Sequence, residues 1–320
     1  MEKIVIIGEE PLQGTIEISG SKNASLPLMA ASILTDETVV LKNIPNLADI
    51  HTMASVLESL GVNCNKSDLI NKNIIQLNYQ GSDKALAEYD LVRKMRASIL
   101  VLGPLLARKR KATVSMPGGC AIGARPVNIH VDALAQLGGE FNLEKGYIKC
   151  EAKSGLKGAK IELPMISVGA TENIIMAASL AKGETEISNI ATEPEIIDLI
   201  DCLKSMGAQI EVQSDRKVLI QGVESLNGTT HSVIPDRIEA GTYIIAGLIT
   251  KGELQIKNVN FDHIANLLSV FENLELNITR ENNNLIVKES SVSKNISLDT
   301  KEYPGFPTDL QAQIMVLLSL

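Results

Sequence analysis

The stretch Met29–Ile44, MAASILTDETVVLKNI, determines how the chain is organised, because the same phrase returns further along. It recurs at Met176–Ile190 as MAASLAKGETEISNI and at Ile245–Val259 as IAGLITKGELQIKNV, and a degenerate copy covers Leu102–Val114. Each copy joins an apolar, helix-like segment to a strand-like one through a short polar turn. A phrase that returns about every 70 residues indicates a repeated supersecondary unit.

Each copy of the phrase is followed by a second helical pattern. In the first copy, Met53, Val56, Leu57 and Leu60 lie at helical spacing before Gly61, which fits one buried helix face closed by a left-handed glycine. Another strand-like segment comes next, so the predicted unit is helix, strand, helix and one or two strands. Four complete units predict an α/β fold. The other patterns are Val131, Leu134 and Leu137 before Gly138; Leu199, Leu203 and Met206 before Gly207; and Ile264, Leu267, Leu268 and Phe271.

Composition and charge limit the possible functions. The chain has 320 residues, 45% of them hydrophobic, which is enough for a large core and more than one domain. Its net charge is −8 and its pI about 5.2, so nucleic acid is not expected as a partner. The basic run Arg108–Lys111 separates a helix-like from a strand-like segment and is interpreted as a solvated turn.

The sequence predicts neither a signal peptide nor a membrane span. Ile4–Ile7 follows the first residues directly, lacks a cleavable small-residue site and is interpreted as a strand. The longest apolar stretch, Ile99–Ala107, is interrupted by a Gly-Pro pair and has roughly half the length that a bilayer requires. We therefore expect a cytoplasmic protein with no membrane partner.

One of the four cysteines stands apart from the other three. Their number and spacing fit neither a disulfide framework nor a metal site. Cys120 lies in the glycine-rich loop Pro117–Pro126, PGGCAIGARP, where glycines allow close approach to a ligand and Arg125 favours a thiolate. Such a cysteine can donate a proton or act as a nucleophile; an inert cysteine in an ordinary turn is the alternative. The cysteines that pattern with the core are Cys64, Cys150 and Cys202.

A second candidate site is the segment Gly20–Asn23, just ahead of the first helix. A lysine beside the free N–H groups of a helix start is a natural anion site, which favours a role for Lys22. The alternative is that Ser21 or Asn23 caps the helix while Lys22 points to water.

Six short motifs along the chain resemble those of a known family. They are Ser21–Asn23, Leu91–Ser98, Pro117–Pro126, Ser167–Thr171, Glu193–Glu195 and Pro304–Asp309. Together they resemble the enolpyruvyl transferases, and among these the family that acts on UDP-N-acetylglucosamine. The resemblance covers the whole chain and implies two inside-out α/β barrel domains of three units each, with the substrates in the cleft between them. The implied domains are residues 22–230 and residues 1–21 with 231–320.

The resemblance also implies a role for each site residue. Lys22 and Arg125 correspond to residues that hold the phosphate of phosphoenolpyruvate. Cys120 corresponds to the general acid that the antibiotic fosfomycin alkylates, and Asp309 to the carboxylate at the sugar 3-hydroxyl. The positions that correspond to UDP-sugar contacts are Asn23, Arg96, Arg125, Pro126, Val127, Asn128, Ile129, Ser167, Val168 and Gly169.

The implied reaction is transfer of the enolpyruvyl group of phosphoenolpyruvate to the sugar 3-hydroxyl, the first committed step of peptidoglycan precursor synthesis. It needs a proton delivered to the methylene carbon, which suits Cys120, and one removed from the hydroxyl, which suits Asp309. The resemblance implies no metal and no organic cofactor.

Two alternatives stay open on the sequence alone. A shikimate-pathway enolpyruvyl transferase shares the fold and the lysine site but lacks the cysteine loop, and a non-catalytic UDP-sugar-binding paralogue or fragment could lose Cys120 and Asp309. Met165 stands where many family members have a polar or basic residue, which puts the diphosphate contact there in doubt. Asp309–Leu320 matches the opening helix of a fifth unit, so we expect a chain cut short there, with an incomplete second domain and no turnover.

Overall fold

The computed structural model describes residues 3, 5, 7–8, 10–81, 86–87, 95–116, 127–291 and 294–320. The described residues form two compact units, Gly20–Ile234 and Met1–Ser19 with Pro235–Leu320. Each unit has a hydrophobic core of its own. The assignment of residues 22–230, and of 1–21 with 231–320, as independently folding domains stays a prediction.

The described strands form four sheets of four strands, all built in the same order. In each sheet two strands run parallel, and the second of them pairs antiparallel with one strand of a hairpin, whose other strand lies at the edge of the sheet. The strands are β1 (Gln13–Glu17), β2 (Val39–Lys42), β3 (Val62–Asn65), β4 (Ile75–Tyr79), β5 (Leu86–Ala87), β6 (Lys111–Ser115), β7 (Glu140–Glu144), β8 (Tyr147–Glu151), β9 (Lys160–Glu162), β10 (Glu184–Ser188), β11 (Gln209–Gln213), β12 (Lys217–Gln221), β13 (Thr229–Ser232), β14 (Glu253–Lys257), β15 (Ile278–Glu281) and β16 (Asn284–Val287). The sheet orders are β13-β2-β4-β3, β5-β6-β8-β7 and β9-β10-β12-β11 in the first unit, and β1-β14-β16-β15 in the second.

Two of these sheets are completed by a strand from far along the chain. β13 lies parallel to β2, with Thr229 opposite Val39, and β1 lies parallel to β14, with Gln13 opposite Glu253. The chain therefore passes from one unit to the other at residues 19–20 and again at residues 234–235.

Two helices, α1 and α6, are buried in the interior of the larger unit. Helices apolar all round belong in a protein interior, and α1 is buried from Ala24 to Ala31 and α6 from Ala170 to Ala178. α6 packs against α4, α5 and α7, and α1 packs against α2 and α7. The described helices are α1 (Lys22–Ala31), α2 (Ala48–Ser59), α3 (Leu69–Lys72), α4 (Leu102–Lys109), α5 (Asn128–Gln136), α6 (Val168–Ala178), α7 (Pro194–Ser205), α8 (Arg237–Ile249), α9 (Ala265–Asn273) and α10 (Gln311–Leu318), with 3-10 helices at Arg96–Val101 and Thr308–Leu310 among others.

One asparagine explains why the repeated phrase ends as it does. Asn43, Asn189 and Asn258 are the last residue but one in the three clear copies of the phrase, and each has a left-handed φ, between 57° and 60°. Asparagine tolerates this conformation better than most residues. In each copy the amide nitrogen also donates to a carbonyl just past the parallel neighbouring strand, at 2.8–3.0 Å. The acceptors are Val233, Leu163 and Ile18.

The repeat and the core predicted from the sequence are confirmed. The phrase copies become the end of a helix and a following strand at β2, β6, β10 and β14. Cys64, Cys150 and Cys202 are buried, and so are Leu57, Leu134, Leu203 and Leu268 on the second helices.

Two sequence interpretations need correction. Ile4–Ile7 was interpreted as a strand, but Val5 and Ile7, the two of its residues that the structure describes, belong to no strand and are 72% and 93% exposed, and the first described strand is β1. The basic run does lie at a turn, where Arg110 and Lys111 are exposed, but the Arg108 side chain is only 22% exposed and forms an ion pair with Asp36. That arginine holds the pKa of Asp36 below its ordinary value, chiefly through the side-chain hydrogen bond. None of the described helices has the length and apolar character needed to cross a membrane.

Candidate active site

Lys22 is the first residue of α1, directly after its cap. Ser21 Oγ accepts the N–H of Ala24 at 3.2 Å, which satisfies one donor of the helix start. The Ser21 N–H donates to the Ile234 carbonyl at 2.8 Å and fixes the direction in which the chain enters the helix. Ser21 therefore caps the helix while Lys22 stands at the helix start, so capping by Ser21 does not exclude an anion-binding role for Lys22.

The Lys22 ammonium faces a carboxylate that the sequence did not single out. Lys22 Nζ lies 3.2 Å from Asp49 Oδ2, in the first turn of α2, and the two side chains are 40% and 39% exposed. Such a solvent-screened pair contributes about 0–1 kcal/mol. An arriving anion can therefore replace Asp49 at little energetic expense.

Two of the predicted UDP-sugar segments are starts of helices in the larger unit. Val127, Asn128 and Ile129 open α5, where Asn128 is exposed and Ile129 is buried. Ser167 caps α6 by accepting the Ala170 N–H at 3.4 Å. Neighbouring helix starts offer N–H donors and a favourable dipole to an anionic ligand.

Val168 and Gly169 follow that cap in the first turn of α6. Val168 is 37% exposed. A Cβ on Gly169 would lie 3.1 Å from Cε1 of His130, so the glycine lets the start of α6 approach the ring closely. Met165, the residue that put the diphosphate contact in doubt, lies just before the cap Ser167 and is 51% exposed.

A buried amide joins these segments, and the sequence did not single it out. Asn173, in the middle of α6, bonds to Ile99 in the 3-10 helix that Arg96 opens, to Gly103 of α4 and to His130 of α5. The available signal was the run Thr171-Glu172-Asn173, three polar residues inside an otherwise apolar helix.

Several predicted residues lie outside the part of the chain that the structure describes. These are Cys120, Arg125 and Pro126, together with the side chain of Arg96. Asn23 is described and is half-buried in the first turn of α1.

The three described cysteines are chemically protected. Burial raises the pKa of Cys64, Cys150 and Cys202 to about 12 in each case. A thiol with such a pKa is not a nucleophile near neutral pH. They therefore provide internal controls for the reactivity of Cys120.

Three acidic side chains lie close together in the larger unit, namely Glu172, Glu193 and Glu195. Glu172 is buried in α6, and burial followed by the charges of Glu195 and Glu193 raises its pKa well above the ordinary value of 4.5. The glutamates of the Glu193–Glu195 motif frame Pro194, the first residue of α7.

Asp309 belongs to the second unit and sits in the 3-10 turn Thr308–Leu310, with its side chain exposed. The motif that precedes it is anchored by Phe306, which is 4% exposed and accepts the Lys301 N–H at 3.0 Å through its carbonyl. Leu310 is buried behind it. The apolar residues on both sides thus hold the turn while Asp309 faces outward.

Comparison with known proteins first identifies the class. A family model described as EPSP synthase (3-phosphoshikimate 1-carboxyvinyltransferase) matches residues 6–320. The enolpyruvyl transferase NikO from Streptomyces tendae has the same fold, with a TM-score of 0.84 and 20% identity over 98% of this chain and 74% of that one. EPSP synthase from Acinetobacter baumannii follows with a TM-score of 0.71 and 17% identity, over 91% of this chain and 68% of that one. The fold and the family model are those of carboxyvinyl transferases.

Closer relatives narrow the class. UDP-N-acetylglucosamine 1-carboxyvinyltransferases from Pelagibacter ubique and Dinoroseobacter shibae are each 49% identical over 99% of this chain and 75% of their own length. The one from Granulibacter bethesdensis is 49% identical over the whole of this chain and 76% of its own. The chain belongs to the UDP-N-acetylglucosamine 1-carboxyvinyltransferase family, as the sequence motifs predicted.

Proposed function

We propose that this chain carries the sites for transfer of the enolpyruvyl group of phosphoenolpyruvate to the 3-hydroxyl of UDP-N-acetylglucosamine, with release of phosphate. The observation that carries the proposal is 49% identity, over nearly the whole chain, to enzymes named for that reaction. A proton adds to the methylene carbon of phosphoenolpyruvate while the sugar oxygen, losing its own proton, bonds to the neighbouring carbon. Loss of phosphate and of a methyl proton then restores the double bond.

Lys22 and Arg125 are proposed as the ligands of the transferred phosphate. The position of Lys22 at a capped helix start and its weak pairing with Asp49 support this role. Arg125 follows Cys120 by five residues in the sequence, and a guanidinium can bind phosphate through two parallel hydrogen bonds.

Cys120 is proposed as the general acid and Asp309 as the group that accepts the hydroxyl proton. The exposed position of Asp309 on a well-anchored turn supports its availability to a ligand. The protected state of the other three cysteines leaves Cys120 as the candidate for thiol chemistry.

The nucleotide sugar is proposed to contact the starts of α5 and α6 and the 3-10 helix that Arg96 opens. The contact residues are Asn23, Arg96, Arg125, Pro126, Val127, Asn128, Ile129, Ser167, Val168 and Gly169. Two adjacent helix starts suit the diphosphate, because each presents unpaired N–H groups.

The biological setting follows from the reaction. Its product feeds peptidoglycan synthesis, so we place the chain in cell-wall formation and, through it, in cell shape and division, with fosfomycin as an inhibitor. Both substrates are multiply charged metabolites that do not partition into a bilayer, so we place the reaction in the cytoplasm.

Calorimetry tests the recognition of the sugar substrate. Titration with UDP-N-acetylglucosamine is expected to show saturable binding, and titration with shikimate 3-phosphate under the same conditions none. Ser167→Ala, which removes the cap of α6, is expected to weaken binding of the nucleotide sugar. The control is Ser55→Ala, at a half-buried position of α2 where the hydroxyl donates only to the His51 carbonyl of the same helix. Saturable binding of shikimate 3-phosphate alone would overturn the proposal.

A further inference from the structure

The amide of Asn173 makes three hydrogen bonds in the interior of the larger unit, where the residue is 0% exposed. Its Oδ1 accepts the Gly103 N–H at 2.7 Å. Its Nδ2 donates to the Ile99 carbonyl at 3.0 Å and contacts Nδ1 of His130 at 2.9 Å. One side chain on α6 thereby touches a 3-10 helix, α4 and α5.

These contacts determine the state of the histidine. The Gly103 N–H can only donate, so the atom facing it is the amide oxygen, and the amide nitrogen faces the other two partners. One hydrogen of that nitrogen goes to the Ile99 carbonyl and the other points at His130 Nδ1, which must therefore accept. The ring consequently carries its proton on Nε2 and is neutral.

Close packing of two glycines against the network leaves its hydrogen-bonded groups little room to move. A Cβ on Gly103 would lie 2.3 Å from the Asn173 carbonyl oxygen, and one on Gly169 would lie 3.1 Å from the His130 ring. Apolar packing by itself permits small shifts between helices, but hydrogen bonds made at these distances are directional.

We propose that Asn173 is a positioning residue for the nucleotide sugar. Its amide sets the relative positions of the 3-10 helix opened by Arg96, the start of α5 before His130 and the start of α6 on which it lies. This inference rests on the proposed function, since those are the segments assigned to the UDP-sugar. Asn173 itself, buried in mid-helix, acts through them.

The test compares two asparagine deletions in the 320-residue chain. Asn173→Ala removes the three bonds, and the control Asn258→Ala removes a single amide bond, to the Ile18 carbonyl at 3.0 Å, in the other compact unit. Calorimetry with UDP-N-acetylglucosamine is expected to show binding at least about tenfold weaker for Asn173→Ala, a change of about 1.4 kcal/mol. For Asn258→Ala we expect less than about a twofold change in Kd, although both variants melt at lower temperature.

A spectroscopic readout separates positioning from general loss of stability. Two-bond proton–nitrogen NMR correlations report the tautomer of each histidine ring, and His130→Leu identifies the His130 signals. The unmodified chain is expected to show the Nε2–H form at His130, and Asn173→Ala is expected to lose that preference. If Asn173→Ala does not fold, His130→Leu serves in its place, because it retains the bonds to Ile99 and Gly103 and is expected to weaken binding in the same direction.

The possible results distinguish the two proposals. An Nδ1–H tautomer at His130, or an unchanged Kd in the folded variant, overturns the positioning role while the proposed function stands. A failure of the unmodified chain to bind UDP-N-acetylglucosamine, with the Nε2–H tautomer observed, overturns the proposed function and with it the positioning role.

Discussion

Replacing Lys22 by alanine tests the proposed phosphate site, and its expected effect follows from the surroundings of the ammonium group. In the structure Lys22 Nζ is 3.2 Å from Asp49, and both side chains are about 40% exposed. Losing this pair lowers the free energy of unfolding by at most about 1 kcal/mol. Losing a hydrogen bond from a charged donor to phosphate weakens ligand binding by about 1.5–3 kcal/mol. We therefore expect Lys22→Ala to fold normally and to bind phosphoenolpyruvate about ten- to 150-fold more weakly.

Asp49 offers a test in the opposite direction. If Asp49 competes with the incoming phosphate for the Lys22 ammonium, Asp49→Asn removes that competition and also removes a negative charge that repels phosphate. Phosphoenolpyruvate is then expected to bind more tightly, by no more than about 1 kcal/mol or roughly fivefold.

The assay is calorimetric titration of phosphoenolpyruvate into the chain saturated with a UDP-N-acetylglucosamine analogue that lacks the 3-hydroxyl and so cannot react. The matched control is Lys72→Ala, which breaks a comparable exposed pair, 3.1 Å from Asp68, in the same unit. Its Kd is expected to stay within a factor of about two. Equal losses for Lys22→Ala and Lys72→Ala would refute the phosphate role, and weaker binding by Asp49→Asn would show that Asp49 positions Lys22 instead of competing for it.

Two further predictions concern stability. Because the folded-state pKa of Glu172 is raised, its ionisation opposes folding: the penalty is absent well below pH 4.5, grows as the pH rises toward the folded pKa, and is constant above it. Glu172→Gln should therefore raise the free energy of unfolding by more than about 1 kcal/mol near pH 8, which is the scale of the desolvation of a buried polar group, and should have little effect at pH 4. Urea unfolding at both pH values checks this prediction. An equal gain in stability at both pH values would contradict it. Gly103→Ala, despite the higher helix propensity of alanine, should destabilise by about 1–3 kcal/mol, because the added Cβ would lie 2.3 Å from the Asn173 carbonyl oxygen; denaturant melts that show a gain would exclude the clash.

The fold was predictable wherever the local sequence pattern favours the same structure that tertiary packing requires. The repeated phrase that contains Asn43, Asn189 and Asn258 combines an apolar helix, a polar turn, a strand and a left-handed residue, and each part is visible in the sequence. The strands that complete the sheets are different. β1 is exposed except for half-buried Ile16, and β13 reads TTHS, so neither shows a hydrophobic alternation.

The positions of β1 and β13 are determined by hydrogen bonding to strands that are distant in sequence. The Glu253 N–H bonds to the Leu12 carbonyl at 2.9 Å, and pairing continues from there along β1. Val5 and Ile7, the described residues of the more apolar run Ile4–Ile7, take no part in a strand, so at these positions tertiary pairing outweighed local propensity.

The site divides in a similar way. Lys22, Ser167 and Asp309 were proposed as site residues because they lie in motifs that resemble those of a known family. Asp49 and Asn173 were not singled out from the sequence. An acidic residue in the first turn of a helix is common, and the role of a single buried amide can be inferred only when its three hydrogen-bond partners are known. Such residues become visible when the elements they join are placed in space.

The most direct test of the account is the site of covalent modification by fosfomycin. The 320-residue chain is treated with fosfomycin, with and without UDP-N-acetylglucosamine, and digested for peptide mapping by mass spectrometry. The account predicts one adduct, on Cys120, and no adduct on Cys64, Cys150 or Cys202, whose pKa values near 12 keep them as thiols. Modification of any of those three in preference to Cys120, with or without the nucleotide sugar, would contradict the assignment of Cys120 as the reactive thiol.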